Sequence, residues 1–311
     1  MQFTDDQGEF LVQENIEHIH PEGAQFYSLC RDELIKQMLS SLLQDTQIQT
    51  GVTLKRFSEE NDQVKVVFSN EQVKYYDWVI GCDGVHSSLR RQIHPNETPE
   101  FLGLLVWRAV IDAPQDVALP TYMLGSDHAV LLYPMPEGKT YLYGHVFQSV
   151  KSPPTQSFSN EFSSFRGLVP PILCHLNQQD DPSKNIKFYI HHMGKSHSVR
   201  FKLEGFKRVL LVGDAAHAFG PALQNGAAQA FEDAYVLQEL LHPLFTKQQI
   251  PSLIDAFEKR RTPRVQQIFT LSNAKLQALS DPKQVQGRNE AIRKTGAPNV
   301  HGFKLIMQEN P

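Results

Sequence analysis

One stretch constrains this chain more than any other, Arg208 to Ala234, RVLLVGDAAHAFGPALQNGAAQAFEDA. Val209 to Val212 form an apolar run of the kind that makes a strand buried on both faces. Gly213-Asp214 ends that run. Ala215, Ala216 and Ala218 keep the following backbone bare, Pro221 begins an irregular turn, and Gly226 stands at the start of a new helix. Ala227, Ala230, Phe231, Ala234, Leu237, Leu240 and Leu241 then recur at helical spacing. A buried strand, a tight turn bearing a carboxylate and a bare helix N-terminus together make a ligand-binding device. The carboxylate accepts from hydroxyl groups, and the free N–H groups of the first helical turn favour partial negative charge in front of them by ~0.3–1 kcal/mol.

A second strand and turn, DWVIGCDGVHSSLR, spans Asp77 to Arg90. Trp78 to Ile80 read as a buried strand, Asp83-Gly84 as a turn, and Ser87 and Ser88 as caps of the helix carrying Arg90 and Arg91. Taken alone, an Asp-Gly turn is a weak signal. Together, the two stretches resemble the two internal flavin motifs of the group A flavoprotein monooxygenases, the single-component aromatic hydroxylases. Gly213, Asp214, Ala215, Ala216, His217, Pro221, Gly226, Asp233 and Ala234 fall in register with one motif, and Gly81, Cys82, Asp83, Gly84 and Arg90 with the other. The ending GAAQAFEDA is most similar to the salicylate and urate hydroxylase branch. That branch usually has Gly where this chain has Gln224 and Ala228.

The resemblance implies an α/β (α+β) fold. A Rossmann-like FAD-binding domain would comprise residues 1–100 and 201–280, with a sheet-based substrate domain over 101–200 and a tail over 281–311. It implies FAD as cofactor, NADPH or NADH as co-substrate, O2 as oxidant, and an aromatic or similarly electron-rich small molecule as substrate. The implied cofactor-binding residues are Arg31, Asp83, Gly84, Gly213, Asp214, Pro221, Gly226 and Ala227. Asp214 would take the ribityl hydroxyls, and Gly226 and Ala227 would offer N–H groups to the flavin's pyrimidine edge. The catalytic candidates are Pro221, through its carbonyl, and His217, which would order the turn rather than move protons. Arg31 in CRDELIKQML matches the family's Arg-x-x-Leu helix start, and a plain surface arginine at a helix start is the alternative. The substrate domain would be a sheet with one face over the flavin, with Arg108, Tyr133 and His145 as substrate candidates and Tyr143, His191 and His192 as further polar positions.

Family members begin with a strand, a Gly-x-Gly-x-x-Gly turn and a helix holding the ADP half of FAD. No such turn occurs here: Gly8, Gly23 and Gly51 are isolated. The expected fold is therefore the family's without its first βαβ unit, with Val209–Val212 and Trp78–Ile80 exposed as apolar edge strands. A non-catalytic remnant or a partner-binding subunit is the competing function.

Elsewhere, Phe3 to Val12 reads as a hairpin turning near Gln7-Gly8. Arg31 to Leu43 reads as a helix with Leu34, Ile35, Met38 and Leu39 on one face, and Val52 to Tyr76 as a three-stranded ribbon. Ile250 to Leu279 reads as a long C-terminal helix interrupted near Pro263, with FEKRRTPR (Phe257–Arg264) resembling the family's scaffold helix of paired arginines. A net charge of −4 gives no electrostatic case for nucleic acid or anionic membrane. No run reaches the ~18–20 apolar residues of a membrane span. Cys30, Cys82 and Cys174, odd in number and far apart, read as reduced, mostly buried thiols of a cytoplasmic protein. His18 with His20, and His191, His192 and His197, lack Cys or carboxylate companions at metal-ligand spacing, so no metal site is expected. Oligomeric state stays open, a homo-oligomer included.

Overall fold

The computed structural model describes residues 1–15, 29–112, 117–148, 157–178, 189–241, 245–280 and 287–297. In chain order the first elements are β1 (Gln2–Asp5), β2 (Phe10–Gln13), α1 (Arg31–Ser40), β3 (Leu54–Glu60), β4 (Gln63–Phe68), β5 (Val73–Tyr76), β6 (Val79–Gly81) and α2 (Ser88–Ile93). Next come β7 (Glu100–Asp112), β8 (Thr121–Leu124), β9 (His128–Met135), β10 (Lys139–Phe147), α3 (Phe158–Glu161), α4 (Val169–Gln178) and β11 (Tyr189–Lys195). The last are β12 (Val209–Leu211), α5 (Asp214–His217), α6 (Gly226–Leu240), α7 (Ile250–Ser280) and α8 (Arg288–Thr295). The chain divides into two compact units. A sheet unit comprises Met1–Thr46, Gly103–Met193 and the described residues from Gln277, and a turn unit comprises Gln47–Leu102 and Gly194–Leu276.

The sheet unit is built on a seven-stranded sheet ordered β11-β7-β10-β9-β8-β1-β2. β10 shows why it has two different faces. Along Lys139–Phe147 buried and half-buried residues alternate without a break, as a period of two requires. Thr140, Leu142, Gly144 and Val146 point to one side, and Leu142 and Val146 join Leu105, Trp107, Ala109, Val130 and Leu132 in a core. That core is closed by Phe158, Phe162, Phe165, Val169, Ile172 and Leu176. Val169, Ile172 and Leu176 make one face of α4, whose first turn holds Pro170 and Pro171, where a missing N–H costs nothing. Tyr141, Tyr143 and His145 point to the other side. There Phe3, Leu11, Tyr122, Leu131, Ile292 and Ala297 form a smaller core at the β1–β2 end, with Tyr133 and Tyr143 packed against it.

Several expectations need correction. The β1–β2 hairpin forms, turning at Gly8 (φ 83), but β1 pairs in parallel with β8. Residues 2–13 therefore belong to the sheet that the sequence assigned to 101–200. The tail is not wholly irregular, because Arg288–Thr295 is helical and Ile292 is buried. α1 ends at Ser40 and buries none of its residues, leaving Ile35, Met38 and Leu39 exposed. Cys30, Cys82 and Cys174 are exposed rather than buried, and none of them forms a disulfide among the described residues.

In the turn unit β12 and β6 pair in parallel, Val209 with Val79, Leu210 with Ile80 and Leu211 with Gly81. Val209, Leu210 and Leu211 are each 0% exposed, against expectation, because Lys202 bridges Leu210 on the other side and Leu211 donates to the Phe201 carbonyl. Only β6 keeps an exposed apolar residue of this pair, Ile80. The ribbon forms as an antiparallel β3-β4-β5 sheet with Asn61 and Asp62 in left-handed turn conformations, and it adds Val64 and Val66 to the core. α7 runs through Pro263 without a break, contributing Leu253, Ile254, Phe257 and Val265.

Gly144 lets α3 sit close on the sheet, since a Cβ there would lie 2.7 Å from Phe158 Cε2 and 2.8 Å from Phe162 Cζ. Gly144→Ala is expected to destabilise the protein by about 1–3 kcal/mol through overpacking. The urea midpoint checks this, and an unchanged midpoint would contradict the packing described.

Candidate flavin turn and substrate face

The turn after β12 starts with a residue that must be glycine. Gly213 has φ 57 and ψ −144, and a Cβ there would stand 3.3 Å from the Ala230 Cβ. The Gly213 N–H donates to Asp233 Oδ2 at 2.8 Å, so the turn is bonded to the helix that returns over it. Asp214 then opens α5. Asp214 is exposed, while Gly213 before it and Ala215, Ala216 and His217 after it are buried. α6 begins beside it: a Cβ built on Gly226 would lie 4.0 Å from Asp214 Oδ1. The start of α6 has no side-chain cap, and Ala227 and Ala228 are exposed. An open carboxylate and uncapped, unobstructed N–H groups thus lie side by side, able to take hydroxyl donors and a polarised acceptor from one ligand. Gln224, where the family has glycine, adopts a left-handed φ of 50 and is exposed.

A buried network fixes this turn. Asp233, 0% exposed, receives Gly213 N–H and His217 Nε2 (2.8 Å) on Oδ2 and Arg261 Nε (2.8 Å) on Oδ1. Arg261, also 0% exposed, reaches Glu232 at 2.8 Å and Gln229 Oε1 at 2.9 Å, and Arg264 completes the cluster through Glu232 at 2.7 and 2.9 Å. Burial pushes the Glu232 carboxyl up, but the two guanidinium groups outweigh it and hold it below the ordinary range. α7 also holds the far end of the turn: Ser272 donates to the Gly220 carbonyl, and Gly220 N–H donates to Asn273 Oδ1 at 3.3 Å. Sequence reading gave the FEKRRTPR helix a scaffold role without seeing these partners. Their only sequence signal is a run of arginines on an otherwise core-forming helix.

The Asp83 motif supports the same turn. Ser87 caps α2, accepting from Arg90 N–H at 3.1 Å. Asp83 Oδ2 accepts from Ser88 N–H at 2.6 Å and Ser88 Oγ at 2.9 Å. Burial raises the Asp83 carboxyl, but these bonds win and its pKa is lowered. Gly84 follows at φ 78. Arg90 is buried and donates to the Ala216 carbonyl at 3.0 Å, the Ala215 carbonyl at 3.3 Å, the Ser198 carbonyl at 2.9 Å and Glu97 at 2.9 Å. The arginine of one motif therefore clamps the backbone of the other.

The remaining candidates divide clearly. Gly213, Asp214, Pro221, Gly226 and Ala227 lie on one turn, with Asp83 and Gly84 on the loop after the paired strand β6. His217 is 0% exposed, with its ring against Phe201 and Phe219, and it holds the turn rather than facing a ligand. Arg31 is in the sheet unit, exposed at the first turn of α1. Arg108, Tyr133 and His145 share one face of the sheet, since Arg108 registers with Tyr143, and Tyr133 with Tyr141. Tyr133 bonds to Tyr122 at 2.7 Å between hydroxyls. Burial raises the Tyr133 and Tyr143 phenols and lowers His145 to about 4, so these three groups are neutral at neutral pH beside the Arg108 cation. The side chains of His191 and His192, and His18 and His20 entirely, lie outside the described residues. Among the described residues no group of three His, Cys, Asp or Glu side chains could hold a metal ion, and no helix is long and apolar enough to cross a membrane.

Comparison with known proteins identifies the family behind this geometry. The sequence profile of the FAD binding domain matches residues 7–272. The chain belongs to that FAD-binding family. A Bacillus subtilis (strain 168) chain, YetM, provisionally named an FAD-dependent monooxygenase, is 29% identical over 261 residues, covering 78% of this chain and 66% of its own length. The FAD-dependent urate hydroxylase of Klebsiella oxytoca is 27% identical over 236 residues, covering 71% of this chain and 57% of its own. This chain thus spans from just over half to about two thirds of these relatives' lengths. The structure of Klebsiella pneumoniae HpxO with FAD and uric acid superposes with a TM-score of 0.87 at 22% identity, covering all of this chain and 80% of that one. The fold is therefore the mixed α/β fold of FAD-dependent hydroxylases.

Two outcomes follow. Asp233→Asn removes the charge that compensates Arg261 and is expected to cost about 3–5 kcal/mol in urea unfolding; a loss below about 1 kcal/mol would refute the clamp. The folded His145 ring refuses a proton until about pH 4, whereas the unfolded ring takes one near 6.5. Stability should therefore fall as pH drops through that window, by at most about 3 kcal/mol from this group, and His145→Gln should flatten the profile. Equal pH profiles for the two proteins would refute the burial of this ring.

Proposed function

We propose that this chain carries the flavin-holding turn and the substrate face of an FAD-dependent monooxygenase that uses NADPH or NADH and O2 to hydroxylate an aromatic small molecule. The reading is carried by one observation: the open Asp214 carboxylate beside the uncapped start of α6, in a turn clamped by Asp233 and Arg90. These residues fit a flavin. Asp214 would accept from ribityl hydroxyls, and the Gly226 and Ala227 N–H groups would face the pyrimidine edge, where they favour added negative charge. Pro221 would direct its carbonyl toward the site of oxygen transfer. Asp83, Gly84 and Arg31 would complete the cofactor contacts, while Arg108, Tyr133 and His145 would contact the substrate. When bound, FAD would supply hydride acceptance and oxygen activation, and the protein's part is binding, orientation and water exclusion.

A second reading, a partner-binding subunit without catalysis, draws on the exposed apolar residues of the turn unit, Ile80, Phe231 and Tyr235. An FAD titration followed by flavin fluorescence separates the two. Saturable binding that weakens at least about tenfold in Asp214→Ala supports the flavin turn. Equal FAD occupancy in wild type and variant would overturn it, and no binding by the 311-residue chain would favour the second reading.

A further inference from the structure

Two hydroxyl residues stand close together in α7 and are used differently. Thr270 is exposed and donates back along its own helix, to the Gln266 carbonyl at 2.8 Å, the usual habit of a hydroxyl inside a helix. Ser272 is 0% exposed and donates instead to the Gly220 carbonyl, 52 residues away in the chain. Asn273, the next residue, accepts the Gly220 N–H at 3.3 Å. Serine and asparagine are both poorer helix formers than alanine. At these two adjacent positions their side chains hold both backbone polar groups of one glycine. The helix comes in close to do so: a Cβ built on Gly220 would lie 3.1 Å from Leu276 Cδ2.

Holding Gly220 fixes the direction of the carbonyl one residue on. The Gly220 oxygen lies in the plane of the Gly220–Pro221 peptide, so a bond to that oxygen orients the plane. The Pro221 ring sets its own φ at about −65°. The other torsion of Pro221 is set by the short turn Pro221–Leu223, in which the Gln224 N–H donates to the Pro221 carbonyl at 2.9 Å. Gln224 makes that bond from its left-handed conformation, φ 50. The soft joint in this series is therefore Gly220, and it is the residue that α7 grips. A carbonyl oxygen has two lone pairs, and on Pro221 Gln224 takes one. Asp214 has a separate support, because the strand end before it is bonded through Gly213 to Asp233. The two ends of the turn are thus anchored at different points.

We propose that Ser272, seconded by Asn273, is a positioning residue: through Gly220 it aims the Pro221 carbonyl at the bound cofactor. The task given to the carbonyl rests on the flavin-turn reading above, whereas its aim rests on the bonds of Ser272, Asn273 and Gln224.

Amide exchange followed by NMR on the full chain tests the aim without any ligand. Ser272→Ala should speed exchange at Gly220 and Gln224 at least about tenfold, the loss expected when a buried acceptor goes unpaired. The Gly213 N–H, held by Asp233, should exchange as in wild type. Ser272→Thr, which keeps the hydroxyl, should bring both rates back toward wild type. Asn273→Leu, which removes the other bond, should speed the same two amides and gives the comparison where Ser272→Ala does not fold. The same variants are then titrated with FAD. Ser272→Ala should keep the dissociation constant within about threefold of wild type while changing the visible circular dichroism of the bound flavin. Ser272→Thr should restore the wild-type spectrum. Unchanged exchange at Gln224 would overturn the proposal, since an idle hydroxyl inside a helix makes alanine neutral or better. Equal acceleration at Gly213, or a loss of FAD affinity as large as in Asp214→Ala, would also overturn it by making Ser272 a general support of the fold. FAD binding with identical spectra in wild type and Ser272→Ala would overturn the positioning and leave the flavin turn standing. Selective exchange at Gly220 and Gln224 in a chain that binds no FAD would uphold the aim and overturn the flavin reading.

Discussion

The turn unit depends on one buried carboxylate. Asp233 holds the N–H of a glycine in a conformation closed to other residues, the ring of His217, and the guanidinium of Arg261. Burying one charge is expensive, and the cluster meets the cost by closing on itself: Asp233 and Glu232 are matched by Arg261 and Arg264. Such a cluster adds little net stability compared with an apolar core of the same volume. What it adds is position. The strand end, the turn and two helices are tied to one point, so Asp214 stays exposed at a fixed place while Gly213, Ala215, Ala216 and His217 beside it are buried. A carboxylate on a loose loop would lose that placement in side-chain and backbone entropy when it met a ligand.

The sheet unit solves a different problem with simpler means. One strand, β10, supplies both the main core and the polar face by strict alternation. Gly144 on the core side lets two phenylalanines close over the sheet, which frees the opposite side from bearing that packing. Tyr141, Tyr143 and His145 can then be polar. On that side the Nε of Arg108 and the Nδ1 of His145 are buried without a hydrogen-bond partner.

Legibility in the sequence followed the range of the interactions. The Gly213 turn, the Ser87 cap, the Asn61-Asp62 hairpin and the alternation of β10 are local, and each leaves a residue type at a fixed offset. The turn candidates Asp214, Pro221, Gly226 and Ala227 therefore stood out at once. The parallel pairing of β1 with β8 left no such mark, since a hairpin reads the same whichever sheet it joins. Arg90 reaching the carbonyls of Ala215 and Ala216, and Arg261 reaching Asp233, are contacts between distant segments. The sequence shows arginines there, but their partners exist only once the chain has folded. The apolar stripe of α1 is legible from periodicity, but periodicity does not say what covers a stripe, and Met38 and Leu39 are exposed.

Gln224 shows where a family pattern and a physical requirement part company. The backbone there is left-handed, which explains why relatives of the salicylate and urate branch use glycine. A glutamine in that conformation bears a strain of about 1–2 kcal/mol. The strain is tolerable because the surrounding turn is over-determined, held at Gly220 by Ser272 and Asn273 and beyond it by the buried Asn225 and Gln229 pair. The departure therefore changes what the turn presents and leaves its path intact. With the backbone N–H groups of α6 and the Asp214 carboxylate fixed independently of this side chain, the exposed glutamine alters the surface of the turn and leaves those groups where they are.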